Sequence, residues 1–183
     1  MTRPDIYPVS LVSARLRLRE FQPDDLDATM SVVGDPEVTD FLSFDVKTRD
    51  EQRELLAAQR ERVLHRPRTE YYLAVELLPD AGLVGFARLG LGAHSAAKLG
   101  YAFRRSVWGK GLATEAAGAI VDFGFNTLGL HRITAACGPD NVGSVRVLEK
   151  LAFSYEGRLR DHVFTNGGWR DSLLYSRLAT SPE

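Results

Sequence analysis

The amino-acid sequence predicts an α/β protein in which a mixed β-sheet carries helices on both faces. Strand-like and helix-like segments alternate along the chain, which is the pattern that such layered folds require. The 183 residues match one ordinary domain, and 44% hydrophobic residues are enough to bury a core. No internal repeat, low-complexity tract or Gly/Ser linker interrupts the pattern. We therefore expect residues 1–183 to form one domain.

The first third of the chain predicts one strand and two helices. Apolar and polar residues alternate over 16–19, as they do in a half-exposed strand. A helix is expected over 23–33, because Pro23 suits a first turn and the acids that follow it favour the positive end of a helix. A second helix should begin at Thr48 and end at Arg62, before an Arg-Pro pair.

Three strand-like runs follow, at 71–77, 83–91 and 99–103. Residues 79–82 read Pro-Asp-Ala-Gly, a turn that should join the first two runs into a hairpin. The third run leads into a glycine-rich loop.

The second half of the chain continues the alternation. A long helix is expected over 113–128 and a short strand over 132–137, followed by a helix over 142–151. Two final strands, at about 153–164 and 169–178, should form a hairpin through an Asn-Gly-Gly turn. The complete predicted order is β-α-α-β-β-β-α-β-α-β-β.

Composition and charge exclude several classes of function. The 23 basic and 24 acidic residues leave a net charge of −1, so the chain lacks the positive field that nucleic-acid binding requires. Cys137 is the only cysteine and the four histidines are scattered, which predicts neither a disulfide nor a metal site. No apolar run is long enough for a signal peptide or for the ~20 residues of a membrane span. We therefore expect a cytoplasmic protein that binds no nucleic acid, metal or membrane.

The most informative segment is the glycine-rich loop before the long helix. It reads Trp108-Gly109-Lys110-Gly111-Leu112-Ala113-Thr114-Glu115-Ala116. Small residues let the backbone approach a ligand closely, and the start of a helix supplies unpaired N–H groups with a partial positive charge. Together these features predict an anion cradle suited to a diphosphate.

Other glycine motifs fit this loop poorly. A Walker A loop that ended at Gly109-Lys110 would need glycine at Arg104 and serine or threonine at Gly111. A dinucleotide fingerprint that began at Gly109 would need glycine or alanine at Thr114. A plain C-capping turn is the remaining alternative, although these glycines precede a helix whereas a capping glycine follows one.

The loop resembles the acetyl-CoA diphosphate loop of the GNAT acetyltransferases, which is usually written Gln/Arg-x-x-Gly-x-Gly/Ala. Trp108 occupies the first place, Gly111 the glycine and Ala113 the last small residue. Tryptophan departs from the general pattern but is similar to the RimJ/RimL-like (ribosomal-protein-alanine acetyltransferase-like) branch. Further segments resemble the family in the same order, at 15–19, 23–25, 35–38, 129–133, 139–144, 148–153 and 168–171. The resemblance covers about residues 15–178 and implies the GNAT fold, with acetyl-CoA as co-substrate.

The resemblance implies a set of acetyl-CoA contacts. The strand before the loop should splay from its neighbour and offer main-chain groups to the pantetheine arm, while the loop N–H groups hold the diphosphate. Asn141 should bind the pantetheine arm, although it is also a good N-cap. Lys110 either adds charge or is a solvated loop residue. The predicted cofactor-binding set is Phe103, Trp108, Gly109, Lys110, Gly111, Leu112, Ala113, Thr114, Asn141 and Ser144.

The resemblance also implies catalytic groups. Many GNAT enzymes carry a tyrosine in the last helix that protonates the leaving thiolate, and here Leu148 takes its place. Ser144 lies one helical turn earlier on the same face and is our candidate acid. Glu156 is the candidate base, with a structural ion-pair ladder along its strand as the alternative. The RimL-like base position falls on Val163, and alternation aims His162 away from that position. A base that acts through water also stays open.

The predicted activity is transfer of acetyl from acetyl-CoA to a primary amine by direct attack in a ternary complex. An α-amine, with a pKa of ~7.7–8.0, is neutral at pH 7 more readily than a lysine amine at ~10.4, which favours a protein or peptide N-terminus as acceptor. A small-molecule amine (amino acid, polyamine or antibiotic) is the alternative, and a non-catalytic acyl-CoA-binding module is a third. Residues 34–65 and the final hairpin should build the acceptor groove. A homodimer is compatible with the resemblance, and Cys137 is expected to be a buried hydrophobic residue.

Overall fold

A computed structural model describes residues 7–79 and 82–179, and within them eight strands form one mixed sheet. The strands are β1 (Ser10–Val12), β2 (Leu16–Arg19), β3 (Glu70–Leu77), β4 (Gly82–Leu91), β5 (Ala96–Phe103), β6 (Arg132–Cys137), β7 (Ser154–Thr165) and β8 (Gly168–Leu178). The helices are α1 (Leu26–Val33), α2 (Pro36–Thr39), α3 (Arg49–Arg62), α4 (Leu112–Asp122) and α5 (Val142–Lys150). The predicted α/β class with a mixed sheet is confirmed.

The strand order across the sheet is β1-β2-β3-β4-β5-β6-β8-β7. Neighbouring strands are antiparallel except β5 and β6, which run parallel. A crossover through α4 joins this parallel pair, as a parallel connection requires. β3 and β4 pair with Leu77 opposite Gly82, in agreement with the predicted hairpin, but Asp80 and Ala81 of its turn lie outside the described residues.

Two hydrophobic clusters, one on each face of the sheet, explain why helices cover both sides. Alternate residues of β3 point to opposite faces, so Leu73 joins one cluster and Ala74 the other. The larger cluster contains Ile120 of α4, whereas the smaller one contains Val32 of α1 and Leu56 of α3. The helices on each face therefore bury apolar stripes against the sheet.

Two short elements and one helix start differ from the sequence prediction. β1 has three residues and α2 has four, and neither is long enough to show a hydrophobic period. α2 is a single turn capped by Asp35, whose carboxylate accepts a hydrogen bond from the Glu37 N–H at 3.0 Å. The helix expected over 23–33 opens with a 3-10 turn (Pro23–Asp25) before α1 begins.

The long helix expected over 113–128 changes its winding where it meets the sheet. α4 ends at Asp122, and the next five residues (Phe123–Thr127) form a π-helical turn. A Cβ atom on Gly124 would lie 3.0 Å from side-chain carbons of the sheet and of the following loop. The backbone of this turn therefore packs directly against the core. Hydrophobic periodicity does not predict such a close backbone contact.

The parallel strands β5 and β6 separate part-way along their length. Their register runs from Ala96 opposite Arg132 to Leu99 opposite Ala135 and then ends. Beyond this point β5 stays paired with β4 and β6 with β8, so a gap opens between them. α4 follows β5 and α5 follows β6, so the N-termini of two helices lie at the open end. The fold thus brings unpaired backbone groups and two partial positive charges together.

Candidate active site

A cavity of about 480 Å³ follows the gap between β5 and β6 and reaches the first turns of α4 and α5. We call it the first cavity. The Arg104 N–H donates to the Val84 carbonyl oxygen at 2.9 Å, and hydrogen-bonding direction alternates along an antiparallel pair. The main-chain N–H and C=O groups of Tyr101 and Phe103 therefore point away from β4 and into the gap.

Trp108 ties the glycine-rich loop to the end of β5. Its indole N–H donates to the Phe103 carbonyl oxygen at 2.8 Å, and its ring packs edge-on against Phe41 with the ring centroids 6.0 Å apart. The Phe103 carbonyl is thus bound within the chain, which leaves the Phe103 N–H as the group that faces the gap. Phe41, Phe103 and Trp108 all line the first cavity.

The glycine-rich loop forms the start of α4, and it follows a 3-10 turn (Arg105–Val107) whose C-cap is Trp108. Gly109 and Gly111 have φ angles of 74° and 76°, in the left-handed region that favours glycine. Gly111 is the N-cap of α4, and the first helical hydrogen bond runs from the Glu115 N–H to the Gly111 carbonyl at 3.1 Å. The N–H groups of residues 112–114 therefore have no partner within the helix. This geometry suits a bound anion such as a diphosphate.

The cationic side chains that line the first cavity do not include Lys110, which the sequence suggested either as added charge or as a solvated loop residue. The Lys110 ammonium group donates to the Ser106 carbonyl oxygen at 3.1 Å, and Lys110 is absent from the cavity lining. Arg146 and Lys150 of α5 line the cavity instead. The signal that could have found them is their spacing, because residues four apart on a helix share one face.

The first turn of α5 is held by Asn141. Its side-chain oxygen accepts a hydrogen bond from the Ser144 N–H at 2.9 Å, which is the geometry of an N-cap. The Tyr101 hydroxyl lies 3.4 Å from the Ser144 carbonyl oxygen, and burial raises the pKa of this phenol above its usual value. The side chain of Tyr101, which the sequence analysis did not single out, thus places a second hydroxyl near Ser144.

A second cavity, of about 500 Å³, lies on the other side of this helix start. It shares five lining residues with the first cavity: Phe41, Leu42, Tyr101, Asn141 and Ser144. The two cavities therefore meet at the start of α5. Leu148, which stands in the place of the tyrosine of many GNAT enzymes, also lines the second cavity.

Residues of the final hairpin and of the segment after α2 line part of the second cavity. Two guanidinium nitrogens of Arg170 donate to the carbonyl oxygens of Asp40 and Leu42. The Asn166 N–H donates to the Asp45 carboxylate at 2.8 Å. These contacts join β8 and the hairpin turn to residues more than a hundred positions earlier.

Glu156 does not reach either cavity, so we withdraw it as the candidate base. Its carboxylate accepts a hydrogen bond from the Ser176 hydroxyl at 2.5 Å and forms an ion pair with Arg132 of β6. These contacts hold the pKa of the Glu156 carboxyl below its usual value. Glu156 therefore does not join an ion-pair ladder along β7, since its partner Arg132 lies two strands away.

Three further residues of the second cavity bear on the sequence predictions. Val163 lines it, and so does His162, although regular alternation would aim the histidine away. Cys137 is buried, as expected, and its burial raises the pKa of the thiol to about 11. Within residues 7–79 and 82–179, no cluster of His, Cys, Asp or Glu side chains could hold a metal ion, and no helix is both long and apolar enough to cross a membrane.

Comparison with known proteins agrees with this geometry. A family model described as the acetyltransferase (GNAT) domain matches residues 15–154. The uncharacterised N-acetyltransferase p20 of Bacillus licheniformis is 32% identical over 171 residues, which cover 92% of this chain and 96% of p20. The probable N-acetyltransferase YjcK of Bacillus subtilis is 38% identical over 142 residues, or 76% of this chain and 77% of YjcK.

Solved structures point the same way. The structure of Mycobacterium smegmatis RimJ in complex with CoA-disulfide superposes with a TM-score of 0.84 at 26% identity, covering 97% of this chain and 90% of RimJ. That structure holds a CoA derivative. The chain therefore belongs to the GNAT acetyltransferase family, with RimJ among its structural neighbours, and it is an N-acetyltransferase that uses acetyl-CoA.

Proposed function

We propose that the first cavity binds acetyl-CoA, with the diphosphate on the N–H groups of residues 109–114 and the pantetheine arm along β5. The second cavity then receives the acceptor amine, and the thioester lies where the cavities meet. The observation that carries this assignment is that Tyr101, Asn141 and Ser144 line both cavities. Direct attack between two substrates bound at the same time needs such a shared point.

Ser144 takes the role of general acid in this proposal. The neutral amine attacks the thioester carbonyl carbon, and its nitrogen, which becomes positively charged, loses an N–H proton to solvent. The C–S bond breaks, and its electron pair goes to the sulfur. The Ser144 hydroxyl, placed by the Asn141 cap, gives the leaving thiolate a proton and recovers one from solvent. The N–H groups that Tyr101 and Phe103 direct into the gap are suited to polarise the thioester carbonyl.

The acceptor that best fits the second cavity is an α-amine on a neutral or acidic body, such as a peptide N-terminus. Five cationic side chains line this cavity against two carboxylates, namely Lys47, Arg62, Arg88, Lys98 and Arg170 against Glu70 and Asp171. An α-amine also has a neutral fraction of about a tenth at pH 7. A relative of the chain, the alanine N-acetyltransferase of ribosomal protein uS5 from Escherichia coli, is 36% identical over 93 residues, 51% of this chain.

A polyamine is the second candidate acceptor. The spermidine N(1)-acetyltransferase of Escherichia coli is 38% identical over 65 residues, 36% of this chain. A polycation needs unpaired carboxylates, but Glu70 lies 2.7 Å from Arg88 and 3.4 Å from Arg62. Asp171 lies 2.5 Å from Arg158. The charge of the second cavity therefore favours the α-amine over the polyamine.

An acceptor panel tests this proposal. Peptides with a free N-terminus should have a higher kcat/KM than the same peptides blocked at the N-terminus but carrying lysine, and a higher value than spermidine. The kcat/KM for the free peptides should rise with pH and level off near the pKa of the α-amine, about 8, or near the pKa of an enzyme base. Among the free peptides, those with acidic residues after the first should exceed those with basic residues. Faster turnover of blocked lysine peptides or polyamines would replace the N-terminal acceptor with the small-amine alternative.

A further inference from the structure

An irregular stretch of β7 changes which side chains face the second cavity. β7 and β8 pair without interruption from Gly157 opposite Leu174 to Leu159 opposite Ser172, and pairing resumes with Val163 opposite Arg170. Three residues of β7 thus stand opposite the single Asp171 of β8, which is a β-bulge. Such a bulge re-aims side chains, and here both His162 and its neighbour Val163 line the cavity.

Two side chains of β8 hold this bulge in place. Asp161 has a φ of 46°, in the left-handed region that aspartate tolerates better than most residues. Its N–H donates to the Asp171 carboxylate at 2.9 Å. The His162 Nδ1 atom lies 2.9 Å from the hydroxyl of Ser172, which is buried. When Nδ1 donates its proton to Ser172, the lone pair of the imidazole is on Nε2.

The other titratable side chains of the second cavity are poorly suited to accept a proton at neutral pH. Burial raises the pKa values of Tyr72, Tyr101 and Cys137, so these three groups stay protonated. Burial alone would also raise the pKa of Glu70, but the hydrogen bond and charge of Arg88 hold it below its usual value.

The remaining groups of the cavity are one acid and five cations. The Asp161 N–H and the Arg158 guanidinium hold the pKa of Asp171 below its usual value, which makes this carboxylate a weak base. The cations are Lys47 after α2, Arg62 of α3, Arg88 of β4, Lys98 of β5 and Arg170 of β8. Cationic groups have no lone pair with which to accept a proton.

We propose that His162 is the general base of the reaction, a role that rests on the proposed function of the second cavity as the acceptor site. An N–H bond of the bound ammonium breaks, and the proton goes to Nε2 of His162 while its electron pair stays on the amine nitrogen. The neutral amine then attacks the thioester, and the imidazolium releases its proton to solvent. Ser172 is a positioning residue, because it acts through Nδ1 of His162.

A comparison of pH profiles tests this role. At pH 7 the His162→Asn variant should lose about ten-fold or more in kcat/KM for the amine, with unchanged affinity for CoA. Between pH 7 and 9 the deficit should shrink about ten-fold, because the neutral fraction of an α-amine grows by that factor without help from the enzyme. Ser172→Ala should show a smaller deficit with the same pH trend. The matched control is His94→Asn, since His94 is an exposed histidine in the β4–β5 turn that lines neither cavity.

Two results would overturn the role of His162. One is a kcat/KM within about two-fold of wild type at pH 7, and the other is a deficit that stays constant from pH 7 to 9, as a packing role would give. The measurement uses whichever amine of the acceptor panel the wild type acetylates fastest. A preference for lysine peptides or polyamines would therefore end the α-amine proposal without affecting the test of His162, because the neutral fraction of such an amine also grows between pH 7 and 9 and the deficit should still shrink.

Discussion

The guanidinium group of Arg15 lies 2.7 Å from the carboxylate of Glu115, and this contact ties the entry of β2 to the first turn of α4. The same carboxylate accepts hydrogen bonds from the Arg15 N–H and the Ser13 hydroxyl, each at 2.8 Å. Arg15 also donates to the Lys110 carbonyl oxygen at 3.0 Å. The glycine-rich loop is thus held in place by Arg15, Ser13 and Glu115, three residues that we call the brace. The N–H groups of the loop are therefore oriented before a ligand binds.

Removal of this brace should weaken CoA binding. We expect Glu115→Ala to raise the Kd for CoA about ten-fold, measured by calorimetry, because the loop must then be ordered at the expense of binding energy. Glu156→Ala is the matched control, since Glu156 also accepts from a serine (Ser176) and pairs with an arginine (Arg132) but lies outside both cavities. Equal effects of the two substitutions on the Kd would show that the brace contributes nothing specific.

The brace should also have a defined pH dependence. Burial alone would raise the pKa of the Glu115 carboxyl, but the hydrogen bonds from Ser13 and Arg15 hold this pKa below its usual value. A carboxyl of this kind contributes stability above its unfolded pKa of about 4.3 and loses it as the pH falls through the folded value. The Tm difference between wild type and Glu115→Gln should therefore be largest near neutral pH and shrink below about pH 4. A Tm difference that is independent of pH would contradict this assignment.

Gly111→Glu should abolish tight CoA binding. The substitution places a side chain and a negative charge at the N-cap of α4, where we place the diphosphate. The Kd for CoA should rise by about ten-fold or more. Gly129→Glu is the control, because Gly129 has a similar φ of 62° but lines neither cavity. Unchanged CoA affinity in a folded Gly111→Glu protein would show that the diphosphate does not bind at this loop.

Ser144→Ala should lower kcat by about ten-fold or more, the lower range for loss of a positioned acid, with little change in the KM for acetyl-CoA. The Asn141 cap remains, since it binds the backbone N–H of residue 144 and not the hydroxyl. Tyr101→Phe removes the neighbouring hydroxyl and should have the smaller effect on kcat. A larger loss in Tyr101→Phe than in Ser144→Ala would transfer the acid role to Tyr101.

Cys137→Ser should keep kcat near the wild-type value. With a pKa of about 11, the Cys137 thiol stays protonated at neutral pH and is a poor nucleophile. We therefore expect no acetylated enzyme by mass spectrometry after incubation with acetyl-CoA alone. Detection of an acetyl-cysteine that disappears on addition of amine would replace direct attack by a two-step route.

The sequence predicted those parts of the site that depend on residues close together in the chain. Gly109 and Gly111 adopt the left-handed backbone that only glycine accommodates easily, and a helix begins directly after them. Asn141 caps the N–H of Ser144 three residues later, which is a local hydrogen bond with a recognisable residue type. Hydrophobic periodicity located the long helices and the strands for the same reason.

The direction in which several side chains point depended instead on the pairing of strands that are far apart in the sequence. Glu156 meets Arg132 because β8 lies between β7 and β6, an order that no local pattern encodes. His162 turns into the second cavity because a bulge breaks the alternation of β7, and Asp171 of the neighbouring strand supports that bulge. Local backbone energetics thus determined the glycine-rich loop and the cap of α5. Long-range register, which is set by packing across the whole sheet, decided which groups face the second cavity.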